Sequence, residues 1–292
     1  MLTAEQIKKY NEVVLQKMSL YLNLHADFIE ASIIEELTSE CGLTDEEAFA
    51  MVLAQVCGLD IETNEEDRNM YEYYFSKMIT LLNQDVFTNN AYYKNIRIPE
   101  IKEKNWCFKQ LSYSPYEAFV YNDLKKLSDG RLIPQIGFFK ERFSYPAVLE
   151  NRREWMLITP NEIETMKEVI YKAKGKVLTY GLGMGYYAYM VSEKEEVNQI
   201  TIVEKDESVI SLFKQYILPQ FKYKEKVRII HEDAFEYAKM SMAKEQYDFV
   251  FTDIWHDPID GIPLYLKMKE YENLSPNSHY DYWIEATMKC YL

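Results

Sequence analysis

Apolar side chains recur every three or four residues over much of the first 90 positions, which is the spacing of amphipathic helices. The pattern is clear over residues 7–22, 49–56 and 71–82, and a shorter one covers residues 28–37. Each stretch supplies one apolar face that needs to be buried against another element. We therefore predict an all-α domain over residues 1–95, built as a small bundle of four helices.

Three threonines in this segment mark helix starts. Thr3, Thr44 and Thr63 each precede a Gln or Glu by three positions. In this capping-box spacing the threonine hydroxyl and the later side chain each accept a backbone N–H that the helix leaves free. We expect a helix to begin after each of them. The acidic side chains fall mostly at helix starts and on outward faces, which favours a solvated surface over an acidic binding site.

The pattern is mixed over residues 96–158, which we interpret as a connector that contains a small β element. Pro115 follows a serine and precedes a Tyr-Glu pair, which is typical of a helix start, and predicts a helix to about Asp129. Further along, apolar runs bounded by turn residues indicate short strands, the last two forming a hairpin. The expected strands lie at 133–139, 143–149 and 154–158.

Short β-branched or aromatic runs alternate with helical stretches from Thr159 onward. A helix is expected from Thr159 to about residue 172, followed by four strands with helices between them. The strands are expected at 176–180, 200–204, 227–231 and 249–253. This alternation predicts βαβ units in a parallel sheet, so we assign residues 159–292 to a Rossmann-like α/β domain.

Charge is distributed unevenly along the chain. The net charge is −14; residues 1–90 hold 17 acidic and 5 basic side chains, whereas residues 91–292 hold 30 and 28. Phosphate-backbone binding needs clustered Lys and Arg, so this balance disfavours nucleic acid as a partner. The excess negative charge belongs to the helical front part, while the rest of the chain is close to neutral.

Nothing in the sequence indicates a membrane segment, a leader or a metal site. No apolar run reaches 18 residues, and the start lacks a basic region followed by an apolar one, so we expect a cytoplasmic protein. The cysteines lie far apart without a C-x-x-C pair, and histidine is scarce. They are Cys41, Cys57, Cys107 and Cys290. We expect free thiols and neither a metal site nor a disulfide framework.

Three of the nine glycines fall within five residues, Gly181, Gly183 and Gly185, directly after the strand predicted at 176–180. Glycine lets the chain turn sharply and lets a ligand approach the backbone closely. The spacing differs from the G-x-G-x-x-G of dinucleotide-binding domains, because residue 186 is Tyr. A packing turn without a ligand is the alternative interpretation.

Acidic residues follow the next three predicted strands. Glu204 could accept hydrogen bonds from a ribose diol, and Asp233, which precedes Ala234, could accept one from an adenine amino group. Asp253 and Asp257 could orient or deprotonate an acceptor. Structural alternatives remain: a solvated strand end for Glu204, a helix cap for Asp233, and a capping and turn segment for the last two. Ligands of open α/β sheets bind outside the carboxyl ends of the strands, so the shared position favours a single site.

In this order, the features resemble the class I S-adenosylmethionine-dependent methyltransferases over residues 159–274, and within them the spermidine-synthase-like branch. The resemblance implies that S-adenosylmethionine is the cofactor. Its methionine part would lie on the glycine loop, its ribose on Glu204 and its adenine near Asp233 and Ala234, with Asp253 close to the reacting centre. Only 39 residues follow Asp253, whereas the family's sheet continues through three more strands. We therefore expect a truncated C-terminal sheet that lacks the closing antiparallel hairpin.

The resemblance implies methyl transfer to an unidentified small-molecule or protein acceptor, with Asp253 and Asp257 as catalytic residues. One alternative is a non-catalytic cofactor-binding or protein-interaction module, whose acidic front part binds a partner or a second copy of the chain. Another is aminopropyl transfer, as in spermidine synthases. Their D-x-x-D-P is one residue longer here, and Thr179 stands where many methyltransferases carry an acid.

Overall fold

The computed structural model describes residues 2–292, which divide into two compact units. Unit 1 comprises residues 2–85 and 111–144, and unit 2 comprises residues 86–110 and 145–292. Each unit is thus assembled from two separate stretches of chain. The three-part division predicted from the sequence, with boundaries after residues 95 and 158, stays a prediction.

Helices and strands are numbered in chain order. The helices are α1 (Ala4–Leu24), α2 (Ala31–Cys41), α3 (Asp45–Val56), α4 (Glu65–Met70), α5 (Ser76–Met78), α6 (Gln84–Thr88), α7 (Ala91–Asn95), α8 (Pro160–Lys172), α9 (Tyr186–Ser192), α10 (Glu207–Leu212), α11 (Ala234–Tyr237), α12 (Ala243–Glu245), α13 (Pro258–Lys269) and α14 (Glu285–Lys289). The strands are β1 (Ile79–Leu81), β2 (Ile101–Glu103), β3 (Trp106–Tyr113), β4 (Phe119–Lys126), β5 (Leu132–Phe138), β6 (Phe143–Glu150), β7 (Arg153–Leu157), β8 (Gly175–Tyr180), β9 (Val197–Glu204), β10 (Val227–His231), β11 (Phe249–Thr252) and β12 (His279–Tyr282). Single π-helical segments continue α4, α10 and α11 at Tyr71–Phe75, Phe213–Ile217 and Ala238–Met242.

Unit 1 packs its helices against a three-stranded sheet of order β1-β5-β4. The four predicted helices are present as α1, α2, α3 and the continuous stretch from α4 through α5. Their apolar faces meet in one core, where the ring of Phe49 stacks on that of Phe138 with centroids 4.5 Å apart. Burial of these faces is what holds the short helices in place.

Two of the three predicted capping boxes are confirmed, at Thr3 and Thr44, where both reciprocal hydrogen bonds form. The third is wrong by one residue. The hydroxyl of Thr63 donates to the carboxylate of Asp60, and Asn64 caps α4 instead by accepting the N–H of Glu66 at 2.9 Å. Both residue types are good caps, and in the structure the hydroxyl of Thr63 is already bonded to Asp60.

Two segments predicted as helix are strands. Residues 79–81 leave the helical stretch and pair in parallel with β5, so the front part of the chain is not purely α-helical. The helix predicted after Pro115 is wrong: Glu117 does accept the N–H of Ser114 at 2.7 Å, but Tyr116 adopts a φ of 60°. The chain then continues as β4, antiparallel to β5. The partner strand, distant in sequence, decides this conformation.

Unit 2 contains the predicted parallel sheet, in the order β10-β9-β8-β11-β12, and all four strand pairs are parallel. The four strands expected from the sequence are β8 to β11. Within residues 2–292 the sheet ends at β12, with no antiparallel hairpin after it. This confirms the Rossmann-like α/β fold.

A separate four-stranded sheet has the order β2-β3-β6-β7. Its strands β6 and β7 form the predicted hairpin, in which Ala147 faces Leu157. Throughout residues 2–292, every helix is either too short or too polar to cross a bilayer.

Candidate active site

The glycine loop connects the end of β8 to α9 and lies against the end of β11. Gly181 adopts a φ of 94°, in the region that disfavours side chains. A Cβ atom there would also collide with the carbonyl oxygen of Asp253. The first glycine of the loop is therefore required by close packing of two strand ends, which supports the packing interpretation at this position and leaves the ligand role as a prediction.

Glu204 ends β9 and ties the glycine loop to the neighbouring strand. Its Oε2 accepts the N–H of Leu182 at 3.2 Å, and its Oε1 accepts the N–H of Asp206 at 2.8 Å. The side chain is almost fully buried. Each carboxylate oxygen has a second lone pair, so both can still accept a hydrogen bond from a ligand. The structure thus brings Glu204 and the glycine loop together, as their strand-end positions predicted.

Asp233 is the N-cap of α11. Its Oδ1 accepts the N–H of Phe235 at 2.9 Å and that of Glu236 at 3.2 Å, which confirms the capping interpretation. Ala234 beside it is buried. These two bonds use one carboxylate oxygen, so capping leaves Oδ2 available for the predicted adenine contact.

Asp253 follows β11, and its N–H donates to the carbonyl of Tyr180 at 2.9 Å. The side chain lines a cavity that also touches Gly181 and Thr179. It retains some exposed surface, but burial by surrounding atoms, with a further contribution from the charge of Glu204, raises the pKa of Asp253 to about 7. A carboxyl with this pKa exchanges a proton readily near neutral pH.

Glu162 is the residue that sequence reasoning missed. It lies in the first turn of α8 and lines the same cavity as Asp253. Burial, and then the charge of Asp253, raise the pKa of Glu162 well above its usual range. Its Oε2 is buried with no hydrogen-bond partner. The signal was available: Glu162, Met166 and Val169 fall on one buried helical face, where an acid is rare.

Asp257 is placed differently. It caps α13 by accepting the N–H of Ile259 at 2.6 Å and that of Asp260 at 3.2 Å, and Asp260 completes a capping box. The side chain is exposed and is not among the residues that line the cavity. The catalytic role predicted for Asp257 therefore stays a prediction, without support from its position.

The cavity itself is small and carries charge of one sign. Its volume is about 20 Å³, enough for a group about the size of a water molecule, so it suits the end of a ligand and not a whole nucleoside. Its charged lining side chains are Glu162 and Asp253, and no Lys, Arg or His lines it. The apolar part of the lining includes three methionines, Met156, Met166 and Met184. Residues 2–292 contain no cluster of three or more side chains suited to hold a metal ion.

Comparison with known protein families finds a match to this region. Residues 158–274 match the spermine/spermidine synthase domain. The spermidine synthase-like domain therefore covers α8, the glycine loop and all the strand-end acids described above. This confirms the resemblance to the spermidine-synthase-like branch that those residues indicated. No curated protein sequence matches the chain.

Solved structures similar to the chain include transferases of two kinds. Spermidine synthase from Thermotoga maritima is 15% identical with a TM-score of 0.35; the match covers 51% of this chain and 57% of that one. A spermidine synthase in complex with the transition state analogue AdoDATO is 15% identical with a TM-score of 0.33, covering 48% and 49%. A putative O-methyltransferase from Klebsiella pneumoniae is 18% identical with a TM-score of 0.27, covering 35% and 44%. The chain thus spans about half the length of these structures.

Proposed function

We propose that the spermidine synthase-like domain transfers an aminopropyl group from decarboxylated S-adenosylmethionine to the nitrogen of an amine. One observation carries the proposal: Asp253, with a pKa raised to about 7, lines a cavity beside the glycine loop. An amine is mostly protonated at neutral pH and must lose a proton before it can attack carbon. The match of residues 158–274 to the spermine/spermidine synthase domain supports the choice of transferred group.

The donor set at the strand ends suits an adenosyl nucleotide. Glu204 can accept from a ribose diol with the lone pairs that its two backbone hydrogen bonds leave free. Asp233 can accept from an adenine amino group through Oδ2. When bound, such a nucleotide supplies a carbon activated by the neighbouring positive sulfur, with a neutral thioether as leaving group.

The residues of the chain then have separate tasks. Glu204 and Asp233 orient the nucleoside, and the lining of the cavity excludes water from the end of the ligand. Asp253 takes the proton from the ammonium of the acceptor, so that the nitrogen lone pair becomes free. Positioning supplies most of the rate, because the sulfonium needs no further activation.

Methyl transfer from S-adenosylmethionine is the second candidate. The observation that favours it is Asp257, which the longer D-x-x-x-D-P spacing places at an exposed helix cap outside the cavity lining. If the second aspartate of that stretch is needed for polyamine chemistry, its position here disfavours aminopropyl transfer. A non-catalytic binding module remains as a third outcome.

The test is turnover by the full chain. The protein is incubated with decarboxylated S-adenosylmethionine, or separately with S-adenosylmethionine, in the presence of a panel of primary amines and diamines. Methylthioadenosine together with an aminopropylated amine supports the proposal, and S-adenosylhomocysteine together with a methylated product supports the second candidate. Nucleoside binding without turnover supports the non-catalytic module. Absence of nucleoside binding by calorimetry overturns both transfer reactions and a cofactor-binding module, and leaves only a protein-interaction module.

A further inference from the structure

We infer that Tyr92 is a positioning residue, which holds the glycine loop in the conformation that binds the nucleoside. This inference rests on the proposed function and adds to it a residue from outside the spermidine synthase-like domain, whose match begins at residue 158. Three observations carry it. Tyr92 donates a buried hydrogen bond to the loop, one peptide unit of the loop is fixed at both ends, and the helix α7 that carries Tyr92 is itself anchored.

The hydroxyl of Tyr92 donates to the carbonyl of Met184 at 2.6 Å, in the middle of the loop. The ring of Tyr92 is fully buried and lies edge-on to the rings of Tyr186 and Tyr189, with centroids 5.6 and 5.7 Å apart. Burial raises the pKa of Tyr92 above its usual range, so the hydroxyl keeps its proton and stays a donor. The aromatic contacts therefore fix the direction from which the hydroxyl reaches the loop.

The peptide unit between Met184 and Gly185 is held at both of its ends. Its N–H donates to the carbonyl of Leu182 at 2.9 Å, and its carbonyl accepts from Tyr92. The N–H and the carbonyl of a planar trans peptide point in opposite directions, so two bonds set the orientation of the plane. Gly185 adopts a φ of 74°, and a glycine lets the plane rotate at little cost. Tyr92 supplies the constraint that the loop's own sequence lacks.

The carbonyl of Met184 depends on a partner from outside α9. The helix begins after Gly185, whose carbonyl accepts the N–H of Tyr189 at 2.8 Å. The Met184 carbonyl lies one residue before that position and is buried with the hydroxyl of Tyr92. A buried carbonyl without a partner is costly, so this hydroxyl both satisfies and orients it.

The helix α7 is a firm support for Tyr92. Asn90 caps it, because its Oδ1 accepts the N–H of Tyr92 at 2.9 Å. The same side chain donates from Nδ2 to the hydroxyl of Tyr186 at 3.0 Å, which ties α7 to the start of α9. The hydroxyl of Tyr93 donates to the carbonyl of Ile158 at 2.5 Å, just after β7. Both Tyr186 and Ile158 line the cavity beside the loop, so α7 holds the loop and two of the neighbouring walls.

A loop that is already in its binding conformation binds more tightly than one that must first order. Glu204 fixes a second point of the glycine loop by accepting the N–H of Leu182 at 3.2 Å. Removing the hydroxyl of Tyr92 releases one of the two points and changes no residue of the loop. Nucleoside binding should therefore weaken although the loop sequence is intact.

The experiment compares Tyr92→Phe with the matched control Tyr189→Phe in the full chain. Each variant keeps its ring and loses one hydroxyl bond; that of Tyr189 is with Asn95 Nδ2 at 2.8 Å and does not involve the loop. Hydrogen exchange of the backbone amides of residues 182–185 is measured without ligand. Exchange should be about 3- to 10-fold faster in Tyr92→Phe than in wild type, the range of one neutral hydrogen bond. It should stay within about twofold of wild type in Tyr189→Phe.

Calorimetry with methylthioadenosine then measures affinity at a temperature where both variants are folded. Tyr92→Phe should bind about 3- to 10-fold more weakly than wild type, and Tyr189→Phe should stay within about twofold of it. A role in stability alone would lower the melting temperature of both variants and leave the affinity of the folded proteins unchanged. The affinity thus separates positioning from packing.

Unchanged affinity in folded Tyr92→Phe overturns the inference, whether or not exchange of the loop amides becomes faster, and so does an equal loss of affinity in Tyr189→Phe. Failure of the wild-type protein to bind methylthioadenosine overturns the proposed function instead, and the exchange rates still decide whether Tyr92 holds the loop. If Tyr92→Phe does not fold, the wild-type protein decides. Slow exchange of the Gly185 amide without ligand supports a loop that is already in shape, and exchange at the rate of an exposed amide overturns it.

Discussion

Units 1 and 2 differ in how completely their buried polar groups are paired. In unit 1 the hydroxyl of Tyr74 donates to Asn11 Oδ1 at 3.0 Å, and the Asn11 amide donates to the carbonyl of Gly130 at 3.0 Å. In unit 2, Glu162 Oε2 and the hydroxyl of Tyr187 are buried without partners. Among residues 2–292, every buried side-chain oxygen found without a hydrogen-bond partner belongs to unit 2.

This difference indicates which unit contributes mainly to stability and which unit keeps polar atoms free to bind a ligand. A core whose polar groups are all paired is what local and tertiary preferences produce when they agree. Departures from that rule concentrate at functional sites. Unit 1 follows the first pattern. In unit 2, two of the unpartnered oxygens, Glu162 Oε2 and the hydroxyl of Tyr187, belong to residues that line the cavity together with Asp253.

The largest expected effect is the loss of turnover in Asp253→Asn. Without the carboxylate of Asp253 as the proton acceptor, turnover should fall about 10²- to 10⁴-fold. Methylthioadenosine affinity should stay within about threefold of wild type, because Asn keeps the shape of the side chain. Steady-state rates and calorimetry on the same preparation measure both. Unchanged turnover would mean that Asp253 is as purely structural as the polar groups of unit 1.

The next effect concerns stability and should be confined to unit 1. Phe49→Ala removes a ring that is fully buried and stacked on Phe138, and should lower the free energy of unfolding by about 3–5 kcal/mol. Urea unfolding measures the loss. Nucleoside affinity, determined at a temperature where the variant is folded, should not change. A matching loss of affinity would show that the comparison between a stabilising and a binding unit is wrong.

The third effect is a dependence of stability on pH that originates in unit 2. The pKa of Asp253 is raised in the folded state to about 7 from an ordinary value of 3.8. A raised pKa means that the folded state holds the proton more tightly, so this contribution is complete below about pH 4 and is lost as pH rises through 7. The expected loss of unfolding free energy for the ligand-free protein is on the order of 2–4 kcal/mol.

Asp253→Asn and Glu162→Gln should each flatten the dependence of stability on pH, measured by following unfolding between about pH 5 and about pH 8. In unit 1 the sign is opposite. Hydrogen bonds from Thr63 lower the pKa of Asp60, so its contribution is present above its ordinary pKa and is lost on acidification. Asp60→Asn is therefore the control that should not flatten the loss at neutral pH.

The smallest effect compares one helix cap from each unit. Thr44→Ala in unit 1 should cost about 1 kcal/mol of unfolding free energy, the usual value of an N-cap. Asp257→Ser in unit 2 keeps a capping hydroxyl and removes the carboxylate, so stability should change by less than about 0.5 kcal/mol. Turnover of Asp257→Ser should stay within about twofold of wild type; a hundredfold decrease would restore the catalytic role predicted from the sequence.

The sequence predicted unit 2 better than unit 1, for a physical reason. Strands β8 to β11 are short and rich in β-branched or aromatic side chains, and β8, β9 and β11 are largely buried, so local composition and tertiary burial agree. In unit 1, Phe119 to Lys126 form a strand because β5 pairs with them. The Ser114-Pro115 sequence just before this strand is typical of a helix start, and it gives no sign that the strands will pair.

The candidate site, too, could be predicted from the sequence only where local order determines position. The strand-end positions of Glu204 and Asp253 follow from the order of strands, so the sequence could place both near the glycine loop. Glu162 lies on a helix before the first of those strands, and only the packing of α8 brings it to the cavity. Its position on a buried helical face was readable, but what it faces was not.

The interleaving of the two units has a consequence for synthesis of the chain. Unit 1 lacks β5 until about residue 138 has left the ribosome, and by then residues 86–110 have already emerged ahead of the rest of unit 2. Those residues must wait for 145–292 to be made before they can be buried. Nascent chains fold unit by unit, and waiting apolar segments are where misfolding begins. During that interval residues 86–110 are the segment of the nascent protein for which a chaperone would matter most.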